Sequence, residues 1–149
     1  MLISYAHTNI IAEDWRRLAD FYARVFGFLE VPPQRNLSGE WLERGTGVRG
    51  AALQGIHLRL PGHGAQGPTL EIYSYTAMEE KLPAAANRKG LGHLAFRVEN
   101  VAGTLDEVIS AGGRAVGEIA TTEVPGAGRL TFCYAADPEG NLVEIQSWG

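Results

Sequence analysis

Two stretches of the chain alternate apolar and polar residues in the same way. Residues 70–75 (LEIYSY) and 143–148 (VEIQSW) share Glu, Ile and Ser at matching places. Because successive side chains of a strand point to opposite faces of its sheet, this alternation predicts two similar strands, each with a glutamate opposite its apolar face. Residues 5–11 and 91–98 form a second pair of strand-like stretches, with a histidine at matching places. Each half of the chain therefore begins with a histidine strand and ends with a glutamate strand.

A helix is predicted after each histidine strand. Apolar residues recur at helical spacing over residues 15–26, where Asp14 can cap the start and Gly27 the end. The second helix begins after Asn100 and ends before the Gly112-Gly113 pair. Strand-like runs follow each helix, at residues 40–42 and 50–60 in the first half and at 114–118 and 129–136 in the second. The order β-α-β-β-β therefore occurs twice.

The two halves are expected to form one domain. In each half a single helix covers only one face of its sheet, so a partner module is needed to complete the burial. We predict a single domain of residues 1–149, with a first module at about 1–76 and a second at about 91–149. Residues 77–90, with Pro83 and several alanines, form the link and can include a short helical piece.

Four residues with metal-binding side chains fall on the sheet faces that point away from the helices: His7, Glu71, His93 and Glu144. A carboxylate in the middle of a strand on an enclosed face is costly unless it is paired or bound to a metal. Arg97 lies on the same face and could pair with the glutamates, which for any one residue alone is the commoner arrangement. A structural network has no reason to repeat in both modules, so the joint pattern favours a shared metal site.

The composition narrows the function by exclusion. The 149 residues are 45% hydrophobic and 20% charged, which is typical of a globular chain whose core needs no structural metal, so a bound metal would serve chemistry. A net charge of -4 and the lack of a basic cluster argue against nucleic acid as a partner. No apolar stretch reaches the length of a membrane span, and residues 1–5 lack the features of a signal peptide. We therefore expect a cytoplasmic protein without a membrane partner, in which the single cysteine, Cys133, is a buried thiol.

The sequence resembles the vicinal oxygen chelate superfamily, which includes glyoxalase I, methylmalonyl-CoA epimerase, extradiol dioxygenases and the fosfomycin and bleomycin resistance proteins. The resemblance covers nearly the whole chain and is carried by residues 20–28 (DFYARVFGF), 92–96 (GHLAF), 111–113 (AGG) and 137–144 (DPEGNLVE). It implies an α+β fold in which two paired β-α-β-β-β modules form a partly open, eight-stranded, barrel-like sheet around a metal cleft.

By this resemblance the metal ligands are His7, Glu71, His93 and Glu144, as in the glyoxalase and epimerase branch. Fosfomycin resistance enzymes and extradiol dioxygenases typically use two His and one Glu, and antibiotic-binding members lack the set. The implied cofactor is a divalent metal ion such as Ni, Co, Zn, Mn or Fe. Many members are homodimers, which we also expect here. Whether one chain supplies all four ligands or two chains share the site stays open.

The ligand set and the resemblance predict a metal-dependent lyase or isomerase. Its small-molecule substrate would present adjacent oxygens to the metal, and the enzyme would remove a proton next to a carbonyl through a metal-bound enediolate. Glu144 is the expected base, with Glu71 as the alternative for the opposite face. An extradiol-type dioxygenase and a non-catalytic, drug-binding protein of the bleomycin resistance type stay open as alternatives.

The residues that share a face with these glutamates are candidates for the substrate pocket: Tyr73, Tyr75, Arg97, Gln146 and Trp148. Glyoxalase I of the bacterial type binds glutathione through an Arg and an Asn, four residues after the first and second ligands. Those places hold Ile11 and Tyr75 here, so the use of glutathione stays open. His57, in a strand where it could touch substrate, and His63, in a glycine-rich loop, are predicted to be bystanders.

Overall fold

The structure is a computed structural model that describes residues 2–149, and Met1 lies outside this range. Contacts between residues divide the chain into two compact units, one up to Lys81 and the other Leu82–Gly149. The boundary falls inside the predicted link, residues 77–90, which contains turns and irregular backbone and no helix. That the two modules form a single domain stays a prediction.

The first unit is a four-stranded sheet with two helices. Its elements are β1 (His7–Ile11), α1 (Trp15–Phe26), β2 (Leu29–Ser38), α2 (Glu40–Thr46), β3 (Ala52–Arg59) and β4 (Thr69–Tyr75). The strands pair in the order β1-β4-β3-β2, with β1 parallel to β4 and the other neighbours antiparallel. The histidine strand and the glutamate strand, at opposite ends of the module in sequence, are therefore direct neighbours.

The second unit repeats this topology in a five-stranded sheet. Its elements are β5 (Leu94–Arg97), α3 (Val101–Ser110), β6 (Arg114–Ala115), β7 (Ala120–Val124), β8 (Gly128–Ala136) and β9 (Leu142–Trp148). Strand β5 runs parallel to β9, β9 pairs with β8, and both β6 and β7 pair with the far edge of β8. The short strands β6 and β7 together occupy the position that β2 has in the first unit.

The α+β class and the repeated module are confirmed, but the strand count and several boundaries were wrong. The described residues form nine strands in two open sheets, where the resemblance implied eight strands. The predicted strand at residues 40–42 is the first turn of α2. Glu40 and Glu43 near the N-terminus favour a helix, Leu42 is buried, and Gly47 ends the helix in the left-handed conformation.

Strand β2 was not predicted because it contains two prolines, which have no backbone N–H to donate to a neighbouring strand. Pro32 and Pro33 fall in the gap between Val31 and Arg35, where the pairing of β2 with β3 shifts register. Since β2 is also an edge strand, the missing donors leave no partner unsatisfied. In the second unit the run predicted at 114–118 shortens to the two residues of β6, and β7 was not predicted.

Each helix begins at its predicted cap and covers one face of its sheet. The Asp14 carboxylate accepts hydrogen bonds from the amides of Arg16 and Arg17, and the Asn100 side chain accepts one from Gly103. Helix α1 packs on β3 and β4, and α3 packs on β8 and β9. The fully buried core residues include Leu18, Tyr22, Leu58, Leu70, Ile72, Val108, Cys133, Val143 and Ile145. Burial of each such side chain contributes about 1.5–3 kcal/mol to the stability of the fold. The sheet faces under the helices are therefore filled by the core, and candidate functional side chains lie on the opposite faces.

The turn before β9 is built around a buried carboxylate. Asp137 is 2% exposed, and its Oδ1 accepts hydrogen bonds from the amides of Glu139 and Asn141. The Asn141 side chain donates to the other carboxylate oxygen. This arrangement fixes the start of β9 and with it the position of Glu144. In the described part of the chain, no helix has the length and apolar character needed to cross a bilayer.

Candidate functional site

In the first unit, the parallel pairing of β1 and β4 brings His7 and Glu71 together. His7 lies opposite Thr69, and Glu71 is two residues further along β4, on the same face. The His7 Nε2 atom is 3.5 Å from Glu71 Oε2. The glutamate side chain is 12% exposed and the histidine 42%, so the carboxylate is enclosed while the imidazole is still accessible to a ligand.

The second unit contains the corresponding pair, His93 and Glu144. Leu94 lies opposite Val143, so His93, one residue earlier, is placed beside the start of β9. Its Nε2 atom is 2.9 Å from Glu144 Oε2, and the two side chains are 27% and 15% exposed. In each unit the histidine Nε2 therefore faces a glutamate Oε2, and these are the atoms with which both residue types bind metals.

Glu71 has two further partners on its sheet. Asn9 lies directly opposite it in β1 and donates from Nδ2 to Glu71 Oε1 over 2.9 Å. His57 lies directly opposite it in β3, with Nε2 3.0 Å from Glu71 Oε2. His7, Asn9 and His57 thus surround one carboxylate. His57, predicted to be a bystander, thus contacts the Glu71 carboxylate.

The His57 ring is itself held at both nitrogens. Nδ1 is 3.1 Å from the Thr69 hydroxyl, and Nε2 is 3.0 Å from the Tyr73 hydroxyl as well as from Glu71. A neutral ring with a bare Nε2 would set a lone pair against the carboxylate, so the favourable tautomer carries its proton on Nε2, and Thr69 donates to Nδ1. Burial lowers the pKa of His57 despite the opposing charge of Glu71, which favours the neutral ring.

The surroundings of Glu144 are different. The positions opposite it are occupied by Ala95 in β5 and Tyr134 in β8, and the Tyr134 ring packs against His93 with centroids 4.8 Å apart. Within residues 2–149, His93 is the one side chain at hydrogen-bond distance from Glu144. On the next strand, burial raises the pKa of the Cys133 thiol, and the charge of Glu144 adds to the effect.

The five predicted pocket residues divide between the two units. Tyr73 is buried in an apolar cluster with Leu42, Ala51 and Leu53, and Tyr75 packs against this cluster. Burial and the neighbouring Glu71 raise the pKa of Tyr73 to about 12. A Cβ at Gly55, opposite Tyr73, would collide with the tyrosine ring, so the ring occupies space that only glycine leaves.

In the second unit, Arg97 and Trp148 line a cleft of about 610 Å³ together with Arg129, Thr131 and Ser147. This cleft lies at the end of the sheet and includes neither His93 nor Glu144. Gln146 accepts a hydrogen bond of 2.6 Å from the indole of Trp148, which fixes the indole against the sheet. Tyr75 also lines a cleft of about 430 Å³ in the first unit, and the Tyr73 hydroxyl is 3.0 Å from His57 Nε2. That any of the five residues binds substrate stays a prediction.

Histidines are the nearest basic side chains to both glutamates. Among the described residues, neither Glu71 nor Glu144 forms an ion pair with Arg97 or with any other arginine or lysine. Two ligands at adjacent positions of an octahedral ion, each about 2.1 Å from the metal, lie about 3 Å apart. The separations of 3.5 Å and 2.9 Å fit such a pair in each unit.

Neither pair forms a metal site by itself. The described residues contain no group of three or more His, Cys, Asp or Glu side chains arranged to hold a metal ion. In the first unit the third such side chain, His57, is committed to Thr69, Tyr73 and Glu71. Each unit therefore contributes two candidate ligands.

The contacts of His57 and Asn9 with Glu71 were not predicted, although the sequence carries a signal for the position of both residues. In residues 50–60, Ile56 and Leu58 alternate with His57, so the imidazole is on the face away from the helix. The histidine was not connected with Glu71 because the register of β3 against β4 depends on the length and geometry of the loop between them. Asn9 shares a face with His7 by the same alternation.

The family model described as Glyoxalase/Bleomycin resistance protein/Dioxygenase superfamily matches residues 4–145 of the chain. The chain belongs to this superfamily. Its members include enzymes such as glyoxalase I, typically bind divalent metals and small molecules, and often form dimers. No curated protein matches the chain.

Several solved structures share the fold. A glyoxalase family protein from Bacillus cereus is similar over 99% of this chain and 95% of its own, with a TM-score of 0.83 and 18% identity. A family enzyme from Burkholderia phytofirmans is similar over 97% and 98%, with a TM-score of 0.61 and 17% identity. A glyoxalase I mutant from Zea mays is similar over 95% of this chain and 43% of its own, with a TM-score of 0.62 and 20% identity. At these identities the likeness establishes the fold alone.

Proposed function

We propose that His7, Glu71, His93 and Glu144 together bind one divalent metal ion and that the protein is a metal-dependent lyase or isomerase. The observation that carries the proposal is the repeated pair: in each unit a histidine Nε2 faces a glutamate Oε2 across two parallel strands, at 3.5 Å and 2.9 Å. An enclosed carboxylate without an arginine or lysine partner is costly unless its charge is compensated, and a metal shared by both pairs would supply the compensating positive charge.

The donor set suits a metal that keeps positions open for a substrate. Two imidazoles and two carboxylates leave room in octahedral coordination for two adjacent substrate oxygens. When bound, a divalent metal supplies Lewis-acid polarisation of a substrate carbonyl, which acidifies the neighbouring C–H bond. The identity of the metal, among Ni, Co, Zn, Mn and Fe, is a matter for measurement.

The proton is moved by a carboxylate beside the substrate, and Glu144 is the stronger candidate. Within residues 2–149, His93 is the one side chain at hydrogen-bond distance from it, so it can change its position and take a proton from carbon without breaking other hydrogen bonds. Glu71 is the alternative base for the opposite face, but Asn9 and His57 hold it. The histidines orient the carboxylates and offer their Nε2 atoms as further ligands.

The substrate class is a small 2-oxo or 2-hydroxy acid derivative, such as a thioester or a thiol adduct. In the cleft of the second unit, which contains neither His93 nor Glu144, Arg97 and Arg129 beside Glu99 offer positive charge to an anionic part of the substrate, and the Trp148 indole offers an aromatic wall. We also propose a homodimer, which is checked by light scattering on the purified protein.

The first experiment measures metal in freshly purified protein by mass spectrometry, for the wild type and for His93→Ala. About one divalent ion per chain is expected for the wild type and a large loss for the variant. His63→Ala is the matched control, because His63 is exposed in the loop between β3 and β4 and should leave the metal content unchanged. An unchanged metal content in His93→Ala would overturn the proposal.

The second experiment tests the reaction. The protein is incubated in D₂O with a panel of acyl substrates, and mass spectrometry follows incorporation of deuterium next to the carbonyl. Metal-dependent incorporation, abolished by a chelator, is expected for at least one substrate. Oxygen uptake with a catechol after iron loading, or drug binding that a chelator does not affect, would instead support the dioxygenase or the binding protein.

A further inference from the structure

We infer that His57 is a positioning residue that fixes Glu71 as a metal ligand. The inference rests on the proposed function, since it requires Glu71 to bind the metal. His57 Nε2 lies 3.0 Å from Glu71 Oε2, directly across the β3–β4 pairing, and no other histidine outside the ligand set contacts a candidate ligand in the described residues. The imidazole donates to the carboxylate and selects one of its orientations.

The hydrogen bonds around His57 make it a rigid donor. The Thr69 hydroxyl meets Nδ1 at 3.1 Å and the Tyr73 hydroxyl meets Nε2 at 3.0 Å, so both edges of the ring are fixed. Thr69 and Tyr73 are both on β4, the strand that carries Glu71. The position of the ring is therefore tied to the backbone of the ligand strand, and a shift of the carboxylate would have to break a hydrogen bond.

This network also decides which oxygen of Glu71 faces its neighbours. Asn9 donates to Oε1, while His57 and His7 both approach Oε2. With Oε1 held by Asn9, the carboxylate cannot rotate without losing two charge-assisted hydrogen bonds. Removing a residue that hydrogen-bonds to a metal-binding carboxylate typically lowers metal affinity 10-fold to 100-fold.

The test is a double-mutant cycle on metal binding, read by Co²⁺ titration and the visible spectrum of the bound ion. The variants are His57→Leu, Glu71→Gln and the double variant, with thermal unfolding of each metal-free protein. His57→Leu should weaken Co²⁺ binding about 10-fold to 100-fold and alter the spectrum. In the Glu71→Gln background it should have less than about a 2-fold effect, because a positioning residue acts only through its partner.

Two milder variants keep the test informative if His57→Leu does not fold. His57→Gln, which keeps a donor near Glu71, should restore most of the affinity. Thr69→Val, which removes one hydroxyl and keeps the shape, should weaken binding by less than His57→Leu, and Thr121→Val in β7 is its matched control. An unchanged Co²⁺ affinity and spectrum in His57→Leu, or in Thr69→Val where His57→Leu does not fold, would overturn the inference.

The outcomes separate the two proposals. If wild-type protein binds no Co²⁺, the proposed function and the inference both fail. If the wild type binds and the effects of His57→Leu and Glu71→Gln are additive, the proposed function stands and the positioning role of His57 is wrong. Additivity would mean that His57 acts on the metal without Glu71.

Discussion

The two halves of the chain have the same strand topology but hold their glutamates in different ways. Glu71 accepts hydrogen bonds from Asn9 and His57, whereas within the described residues only the His93 side chain lies at hydrogen-bond distance from Glu144. The difference comes from substitutions at equivalent positions on the neighbouring strands. The first strand has Asn9 in one unit and Ala95 in the other, and the antiparallel neighbour has His57 in one and Tyr134 in the other.

This contrast teaches that a repeated module need not duplicate a chemical role. A carboxylate with several donors is stabilised in its charged form and in one orientation, which suits a permanent ligand. A carboxylate with one partner can move and exchange protons, which suits a base. Under the proposed function, one module would provide the anchor and the other the reactive group, although both begin from a histidine strand beside a glutamate strand.

The largest expected effect separates the two carboxylates by their chemistry. Glu144→Gln should slow deuterium exchange next to the substrate carbonyl by about 10²–10⁴, the usual contribution of a general base. Glu71→Gln should mainly weaken metal binding, with a smaller loss of exchange once the site is saturated with metal. Exchange rates and metal titrations on both variants check this. A slower rate in metal-saturated Glu71→Gln than in Glu144→Gln would reverse the assignment.

A second difference between the halves concerns the residue two positions after each glutamate and the residue opposite it on the neighbouring strand. Tyr73 lies over Gly55 in the first unit, whereas in the second unit Gln146 lies opposite Phe132. Gly55→Ala should lower the free energy of unfolding by about 1–3 kcal/mol, because the new Cβ meets the Tyr73 ring and the Ile72 carbonyl oxygen. Urea unfolding measures the change.

Gly45→Ala is the matched control for this substitution. Gly45 lies within α2 with no atom near the added Cβ, so alanine should leave stability unchanged or raise it by up to about 1 kcal/mol. Equal effects at the two glycines would show that the Tyr73 ring does not depend on the space above Gly55.

A third prediction exchanges the donors between the modules. Asn9→Ala removes the donor to Glu71 and should weaken Co²⁺ binding about 10-fold. Ala95→Asn places an amide opposite Glu144, at an exposed position with room for it, and should slow deuterium exchange by restraining the carboxylate. Ala95→Leu, which offers no donor, is the control. Faster exchange in Ala95→Asn than in Ala95→Leu would contradict the view that Glu144 needs freedom to move.

Much of the fold could be predicted from the sequence because the decisive signals are local. Asp14 and Asn100 cap the two predicted helices, and alternation identified the faces of the histidine and glutamate strands. Strand β2 was missed because its prolines contradict the local rule, and only its place at the edge of the sheet makes them tolerable. The helix α2 was missed because the seven residues give too short a period to distinguish from a strand.

The candidate site was predictable only in part for a related reason. That His7 and Glu71 lie near each other could be predicted because both modules contain the same histidine and glutamate strands. The repeat indicated this proximity even though the order of the strands in the sheet was not known. His57 occurs in one module only, so no internal repeat pointed to it. Its contact with Glu71 depends on the β3–β4 register, which the chain sets through the loop of residues 60–68 rather than through a local pattern.

The smallest expected effect concerns Tyr73, whose hydroxyl closes the network in the first unit. Burial and the negative charge of Glu71 raise its pKa to about 12, above the usual value of about 10. A raised pKa means that the folded state favours the neutral phenol. The contribution of Tyr73 to stability is therefore present below pH 10 and is lost as the pH rises toward 12. Absorbance at the tyrosinate wavelength should show a late-titrating tyrosine that disappears in Tyr73→Phe. The difference between the wild-type and Tyr73→Phe titration curves is the titration of Tyr73 itself. If that difference shows an ordinary tyrosine pKa, the phenol is not held against Glu71. The first module would then lose part of the network that distinguishes it from the second.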